Sequence, residues 1–459
     1  MVHPSQIYRV NRGTTHISSS VRSLGTPSHT EALRAHAPGF FFLYTRICYI
    51  ASMKKSYTPP QKILERYADV LVNFALGGGK GIKEGNVVAV YGSEASKPLY
   101  IELIKAIRKS GGHVIGRYSP DDTPDYNFGK EFYLNATDKQ IKFFPSKYLR
   151  GQIDEMNHSV SIIATTNKRS LQGVDSKKIM LHGQSWKPAM DWRNEKENKG
   201  KFTWTLALYG TVAMAKEAKL SEKEYWNQII KACFLEKPNP ITEWKRVSAQ
   251  VENYKNKLNK LKIDRVHIEG PDADLWIKIG KKRAWNGGSG RNIPSFEIFT
   301  SPDWRGTNGW IRFNQPLYRY GNLIEGIRLE FKNGKVVKSQ ASKNEKVLKA
   351  MIATKNADKV GEYSLTDRRF SRITKFMAET LFDENIGGPQ GNTHLALGNA
   401  YKDCYDGNPA KVTNKEWDKL GYNNSSVHTD IISTAPRTVS AYLPNGEKRV
   451  IYKNGQFTL

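Results

Sequence analysis

The chain has 459 residues, 39% of them hydrophobic and 25% charged, a profile that excludes disordered, fibrous and membrane-embedded classes and fits a globular protein of two or three domains. Three scattered cysteines, Cys48, Cys233 and Cys404, exclude a disulfide framework or a cysteine metal motif and suit a reducing cytoplasm. The formal charge of +27 raises nucleic-acid binding as a function to weigh, but the lysines are spread along the chain without a DNA- or RNA-binding signature, so a solvated basic surface with no specific nucleic-acid partner is the better reading.

Residues 1–52 differ from the rest. They hold five arginines, no lysine and a single acid, Glu31, whereas the chain from Met53 is lysine-rich. The apolar run 40–44 is too short to cross a bilayer, and Arg46 interrupts its continuation. The segment reads as a non-native or disordered extension, with Met53 as the native start and an organelle transit peptide as the alternative. Ile63, Leu64, Tyr67, Val70, Leu71 and Phe74 then recur at three- and four-residue steps and predict a helix over 60–76, closed by Gly77-Gly-Gly-Lys-Gly81. That glycine run is a turn rather than a phosphate loop, because it follows a helix and precedes a strand.

Strands over 86–91 and 113–118 flank a helix over 98–109 that stops at Gly111-Gly112, which makes one βαβ unit and a parallel, helix-covered sheet. Further strands are expected at 159–165 and 178–182, a helical segment from Phe202, and a capping box Ser221-x-x-Glu224 opening another helix. No Gly-x-Gly-x-x-Gly turn follows the first strand, so the sheet implies no nucleotide. Pro238-Asn-Pro240 and a charged helix over 242–262 separate this half from a strand-rich one, with strands at 266–269, 275–279, 311–313, 326–332 and 335–339 and a tight hairpin at Asn333-Gly334. The fold class is therefore α/β: an N-terminal parallel-sheet domain over 53–262, then an α+β catalytic domain over 263–459.

The second domain carries the residues most informative about chemistry: Glu297, Glu362, Glu384, His394, Tyr401, His428 and Asp430. His428 and Asp430 are two apart, so on a strand they share one face. His394 and Tyr401 are seven apart, two turns of a helix, with small or apolar residues between them. Carboxylates with imidazoles and no thiolate suit Zn, Co or Mn. Six donors exceed the protein ligands of one catalytic zinc and match two ions sharing a carboxylate.

The segments Asn292-Ile-Pro-Ser-Phe-Glu297-Ile-Phe-Thr-Ser-Pro302, Gly361-Glu362-Tyr-Ser-Leu365, Thr380-Leu-Phe-Asp-Glu384-Asn385, His394 to Tyr401 and Val427-His428-Thr-Asp430 resemble, in order and spacing, the aminopeptidase T and aminopeptidase S family of thermophilic-type metallo-aminopeptidases. The resemblance runs from about Met53 to the C terminus. It implies metal ligation by Glu297, Glu362, Glu384, His394, His428 and Asp430, with Glu362 as the bridge and Tyr401 as a catalytic phenol. It also implies a homodimer acting on peptides with a free N terminus. The chain departs from the family pattern between Glu384 and His394, where residues 386–393 lengthen the interval. Two rival functions stand beside it: a mononuclear-iron ring-cleaving dioxygenase of the same fold family, and a noncatalytic nucleic-acid-binding protein.

Overall fold

In the computed structural model, which describes residues 57–459, the first amphipathic stretch is the helix Gln61–Val70, with Leu64, Tyr67, Ala68 and Val70 buried. It continues through a π-helical turn, Leu71–Ala75, and stops at Gly77, Gly78 and Gly79, whose φ values of 67°, 64° and 89° suit residues without a Cβ. The extension expected at 1–52 and the start at Met53 lie outside the described residues.

Four parallel strands follow: β1 (Val87–Ser93), β2 (His113–Ser119), β3 (His158–Ile163) and β4 (Thr203–Leu208), in the spatial order β2-β1-β3-β4. The helix Lys97–Lys109 links β1 to β2, as the βαβ pattern requires. Two sequence expectations fail here. Residues 178–182 belong to the helix Ser176–Ser185, whose first turn is capped by the Asp175 side chain; a short apolar run between Lys178 and His182 does not distinguish strand from helix. The segment from Phe202 is the strand β4, because Thr203, Trp204 and Thr205 suit a pleated surface and pair with β3.

The capping box at Ser221 forms in both directions and opens the helix Glu222–Ala232. The long helix Pro240–Leu261 buries Trp244, Val247, Val251 and Leu258. Trp244 stacks between Phe74 at 6.2 Å and Phe296 at 5.4 Å, so one continuous apolar core spans both halves of the described chain. Truncating so buried an indole to alanine costs about 3–5 kcal/mol.

Beyond it come β5 (Arg265–Gly270), β6 (Ala273–Lys278), β7 (Asn292–Ile293), β8 (Glu297–Thr300), β9 (Asn308–Arg312), β10 (Leu317–Arg319), β11 (Asn322–Ile324), β12 (Arg328–Lys332), β13 (Lys335–Gln340), β14 (Val360–Thr366), β15 (Asn392–Gly398), β16 (His428–Ser433), β17 (Thr438–Tyr442), β18 (Lys448–Lys453) and β19 (Gln456–Phe457). Short β7 adds to β4 in parallel and extends the first sheet. An eight-stranded antiparallel sheet runs β13-β12-β9-β6-β5-β17-β18-β19, with the expected hairpin between β12 and β13 turning at Asn333 and Gly334 (φ 50° and 80°). A four-stranded antiparallel sheet, β16-β15-β14-β8, carries most of the candidate ligands. The protein is thus a mixed α/β fold with one parallel and several antiparallel sheets. No helix among the described residues is long and apolar enough to cross a membrane.

Candidate metal centre

Cross-strand register assembles the site. Directly opposed residues of antiparallel strands share a face, and the pairs Thr366–Glu297, Glu362–Ala396, Ser364–His394, Ala396–Asp430 and Gly398–His428 put Glu297, Glu362, His394, His428 and Asp430 on one side of the sheet. The i, i+2 expectation for His428 and Asp430 holds on β16. The helical phase expected for His394 and Tyr401 does not: His394 lies on β15, and Tyr401 follows three residues after that strand ends, just before the 3-10 turn Lys402–Cys404. Every residue of β15 is buried, so its sequence lacks the alternation that would mark a strand. Tyr401 nevertheless reaches the site, its ring 4.7 Å from that of His428 and 5.9 Å from that of Phe299.

The donor atoms converge closely. His394 Nε2 lies 3.3 Å from Glu297 Oε2, 3.3 Å from Glu362 Oε1 and 3.9 Å from Asp430 Oδ1. His428 Nε2 lies 3.4 Å from both Glu362 Oε2 and Asp430 Oδ1. Glu362 therefore turns one oxygen toward each histidine. Three overlapping groups have the spacing of a cation site: Glu297, Glu362 and His394; Glu362, His428 and Asp430; and Glu384, His394 and Asp430.

Glu384 joins them despite the lengthened interval before His394. Each residue of the Asp383-Glu384-Asn385 segment is held by a different partner. Asp383 accepts from the Met377 and Glu379 N–H groups at 2.6 and 2.8 Å, which pins the loop. Asn385 Oδ1 accepts from Phe296 N–H at 2.6 Å, which ties the loop to the lead-in of β8. Glu384 is left facing the centre, with Asn292 Nδ2 donating to it at 2.9 Å.

The electrostatics call for a cation. Burial, then the neighbouring Glu297, Asp430 and Glu362, push the Glu384 carboxyl well above the carboxylate range. Burial also raises Glu297 to about 7, against the pull of His394. Burial acts the same way on Glu362 and Asp430, but hydrogen bonds from the two histidines outweigh it for Glu362, and His428 foremost outweighs it for Asp430, so both are held down. Burial lowers His394, yet Glu362, Glu297 and Asp430 overcome it and raise the imidazole to about 9. Four carboxylates and two imidazoles thus share too little positive charge, which a divalent ion supplies.

The contact behind the His428 ring fits ligation through Nε2. Its Nδ1 lies 2.8 Å from the Asn399 carbonyl and donates to it, which directs Nε2 at Glu362 and Asp430. His394 differs: its Nδ1 is buried without a partner. Ser364 donates to Glu297 Oε2 at 2.9 Å. Glu297, Glu362, Glu384, Tyr401, His428 and Asp430 line a cavity of about 190 Å³, to which Ile163, Trp204, Leu206 and Leu381 add apolar surface.

Several supporting residues escape sequence reasoning. Arg291 pairs with Glu197 at 2.7 Å and Asp403 at 2.5 Å and lies 5.7 Å from the Tyr401 ring centre. Its partners are 94 and 112 residues away, so no local pattern signals them. Ser364 was more accessible to inference, since it shares the face of Glu362 two positions on.

The family model described as thermophilic metalloprotease (M29) matches residues 60–457. Aminopeptidase PepS of Streptococcus thermophilus is 28% identical over 422 residues, covering 86% of this chain and 98% of that protein. Aminopeptidase T of Thermus thermophilus is 24% identical over 421 residues with the same coverage of each. Among solved structures, wild-type AmpT from Thermus thermophilus shares the fold with a TM-score of 0.73 at 21% identity, covering 87% of this chain and all of that one.

Proposed function

The chain belongs to the thermophilic metalloproteases of family M29 and is a metallo-aminopeptidase; from that premise we propose that it removes the N-terminal residue of peptides at a centre of two divalent ions, Zn, Co or Mn. The observation that carries the two-ion reading is Glu362, whose separate oxygens face His394 and His428. One ion position would draw on Glu362, His428 and Asp430, the other on Glu297, Glu362 and His394, with Glu384 grouped with His394 and Asp430 between them. Bound ions supply Lewis acidity, polarising the scissile carbonyl and making a water acidic enough to attack it near neutral pH.

The chain's own groups do the rest. Tyr401 keeps its proton, because burial and then the charges of Glu362 and Asp430 raise its pKa well above the usual phenol value. It therefore donates a hydrogen bond to the carbonyl oxygen as negative charge develops there. The apolar wall of Ile163, Trp204, Leu206 and Leu381 receives the first side chain of the peptide and keeps water away from the reacting bond. Requirement for a free α-amine at the same centre confines cleavage to the first residue.

The rival dioxygenase reading needs one iron and has no use for Glu297, Glu362 and Glu384 together; the convergence of all three weighs against it. The test is metal analysis of purified protein with hydrolysis of leucine and phenylalanine amides and their N-acetyl derivatives. Chelator-sensitive cleavage of the free-amine compounds alone, restored by Zn, Co or Mn, is expected. Iron-dependent oxygen uptake with a hydroxylated pyridine and no amide cleavage would overturn the reading. The homodimer implied by the family pattern and the cytoplasmic setting suggested by the cysteine usage belong to the same proposal, and sedimentation of the purified chain tests the first.

A further inference from the structure

A second cavity, of about 250 Å³, shares no lining residue with the metal cavity. Its walls include Tyr133, His182, Trp186, Arg319, Tyr320 and Thr354, and no carboxylate lines it. Arg319, the last residue of β10, has its guanidinium 4.8 Å from the Tyr320 ring centre, and its side chain makes no hydrogen bond or ion pair with any described residue. Arg319 is half-buried and its Nε is buried without a partner, whereas buried donors are normally paired. Arg319 Nε, Trp186 Nε1 and Thr354 Oγ1 are each buried and without a partner, and all three belong to residues of this one cavity. By contrast Tyr133 and His182 are satisfied by each other, with the phenol oxygen 2.8 Å from Nδ1.

Orphaned donors beside a cation, in a lining that holds no carboxylate, call for an anionic acceptor. The charge balance selects its class. A single guanidinium matches a carboxylate in charge and in two-pronged geometry, whereas a phosphate dianion calls for further cations that the lining lacks. Ile179, Met180 and the aromatic rings provide apolar surface for the body that carries the acid. The volume suits a molecule of amino-acid size.

We propose that this cavity is a carboxylate site in which Arg319 pairs with the acid group of an amino-acid-sized molecule, supported by Trp186 and Thr354. Val427 lines the cavity and precedes His428 in the chain, and the Arg319 charge helps to hold the Asp430 carboxyl down, so the cavity lies within electrostatic reach of the metal centre. The acid group comes either from the C terminus of a short peptide being cleaved, a case that rests on the aminopeptidase reading, or from a free acid bound on its own.

Calorimetric titration of the full-length protein with N-acetylphenylalanine, and with its amide as the control lacking the acid, tests the site without requiring turnover. The acid should bind and the amide should not. Arg319→Gln should weaken acid binding by roughly 10- to 100-fold, the loss of charge-assisted hydrogen bonds. Trp186→Phe, which keeps the ring stack and removes one donor, should weaken it by several-fold, and gives a second route if Arg319→Gln misfolds. Hydrolysis of Leu-Phe against Leu-Phe amide separates the two sources. A preference for the free acid that Arg319→Gln abolishes assigns the site to the peptide C terminus; equal rates in both proteins, with binding of the probe retained, assign it to a free acid. Equal affinity for acid and amide, or binding unaltered in both variants, would overturn the proposal, and either result can be read even if the protein cleaves no peptide.

Discussion

His428 Nδ1 stands 2.8 Å from the backbone carbonyl oxygen of Asn399, a contact that sets which nitrogen faces the carboxylates. Room for that carbonyl comes from Gly361, one residue before Glu362: a Cβ at 361 would overlap the carbonyl oxygens of Asn399 and Gly398. The Gly361-Glu362 pair therefore combines a candidate ligand with the space its neighbouring histidine needs. Gly361→Ala should displace Asn399, loosen His428 and lower metal affinity by about 10- to 100-fold, the usual cost of losing an orienting partner. Metal content at a fixed free-ion concentration checks this. Wild-type occupancy in Gly361→Ala would show that the carbonyl has no such role.

Glu362→Gln changes charge with little change in volume, so the sheet should persist while the centre fails. One oxygen would remain on an amide that no longer serves both histidines, and activity should fall by more than about 100-fold, beyond the loss of a supporting contact alone. Metal occupancy should drop in parallel, with circular dichroism unchanged. Full metal content with normal turnover would remove Glu362 from the site.

Much of this centre was legible because strands have a short period. His428 and Asp430 are two apart, and the Asn333-Gly334 hairpin and the first βαβ unit announce themselves locally. The reading failed where burial on both faces erased alternation, as in β15, which made a strand and loop from His394 to Tyr401 look like two helical turns. It was silent where partners are remote. Arg291 meets Glu197 and Asp403 only through the tertiary fold, and the turn toward the centre at Glu384 depends on Asp383 and Asn385 gripping backbone on either side.

His158, in the parallel sheet and away from the candidate ligands, predicts a pH dependence of stability. Thr203 Oγ1 accepts from Gly77 N–H at 3.0 Å and directs its own proton at His158 Nδ1, 2.8 Å away, while Nε2–H donates to Asn86 Oδ1 at 2.9 Å. The Thr203 contact needs the neutral ring, because Nδ1 is the acceptor there, and burial depresses its pKa to about 4. In the unfolded chain the ring takes a proton near pH 6.5. Between these values the unfolded state binds more protons, so stability present above pH 6.5 falls with pH until about 4. By pH 5 the loss should reach about 1–2 kcal/mol. Urea unfolding of wild type and His158→Gln at pH 7.5 and 5.0 isolates this share, because other groups cancel in the difference. An equal drop in both proteins would refute the assignment.

Tyr401→Phe separates chemistry from packing at the metal centre. The ring contacts with His428 at 4.7 Å and Phe299 at 5.9 Å survive the substitution, as does the Arg291 guanidinium 5.7 Å from the ring centre; only the hydroxyl is lost. If that hydroxyl donates to the developing oxyanion, turnover should fall by about two to three orders of magnitude while substrate affinity and metal content stay near wild type. A structural tyrosine leaves the opposite signature, because loss of packing lowers thermal stability and metal retention before it touches the rate. Stopped assays of phenylalanine amide hydrolysis, with metal content measured on the same samples, distinguish the two. Turnover within a few-fold of wild type would make Tyr401 a wall of the cavity and leave carbonyl stabilisation to the ions alone.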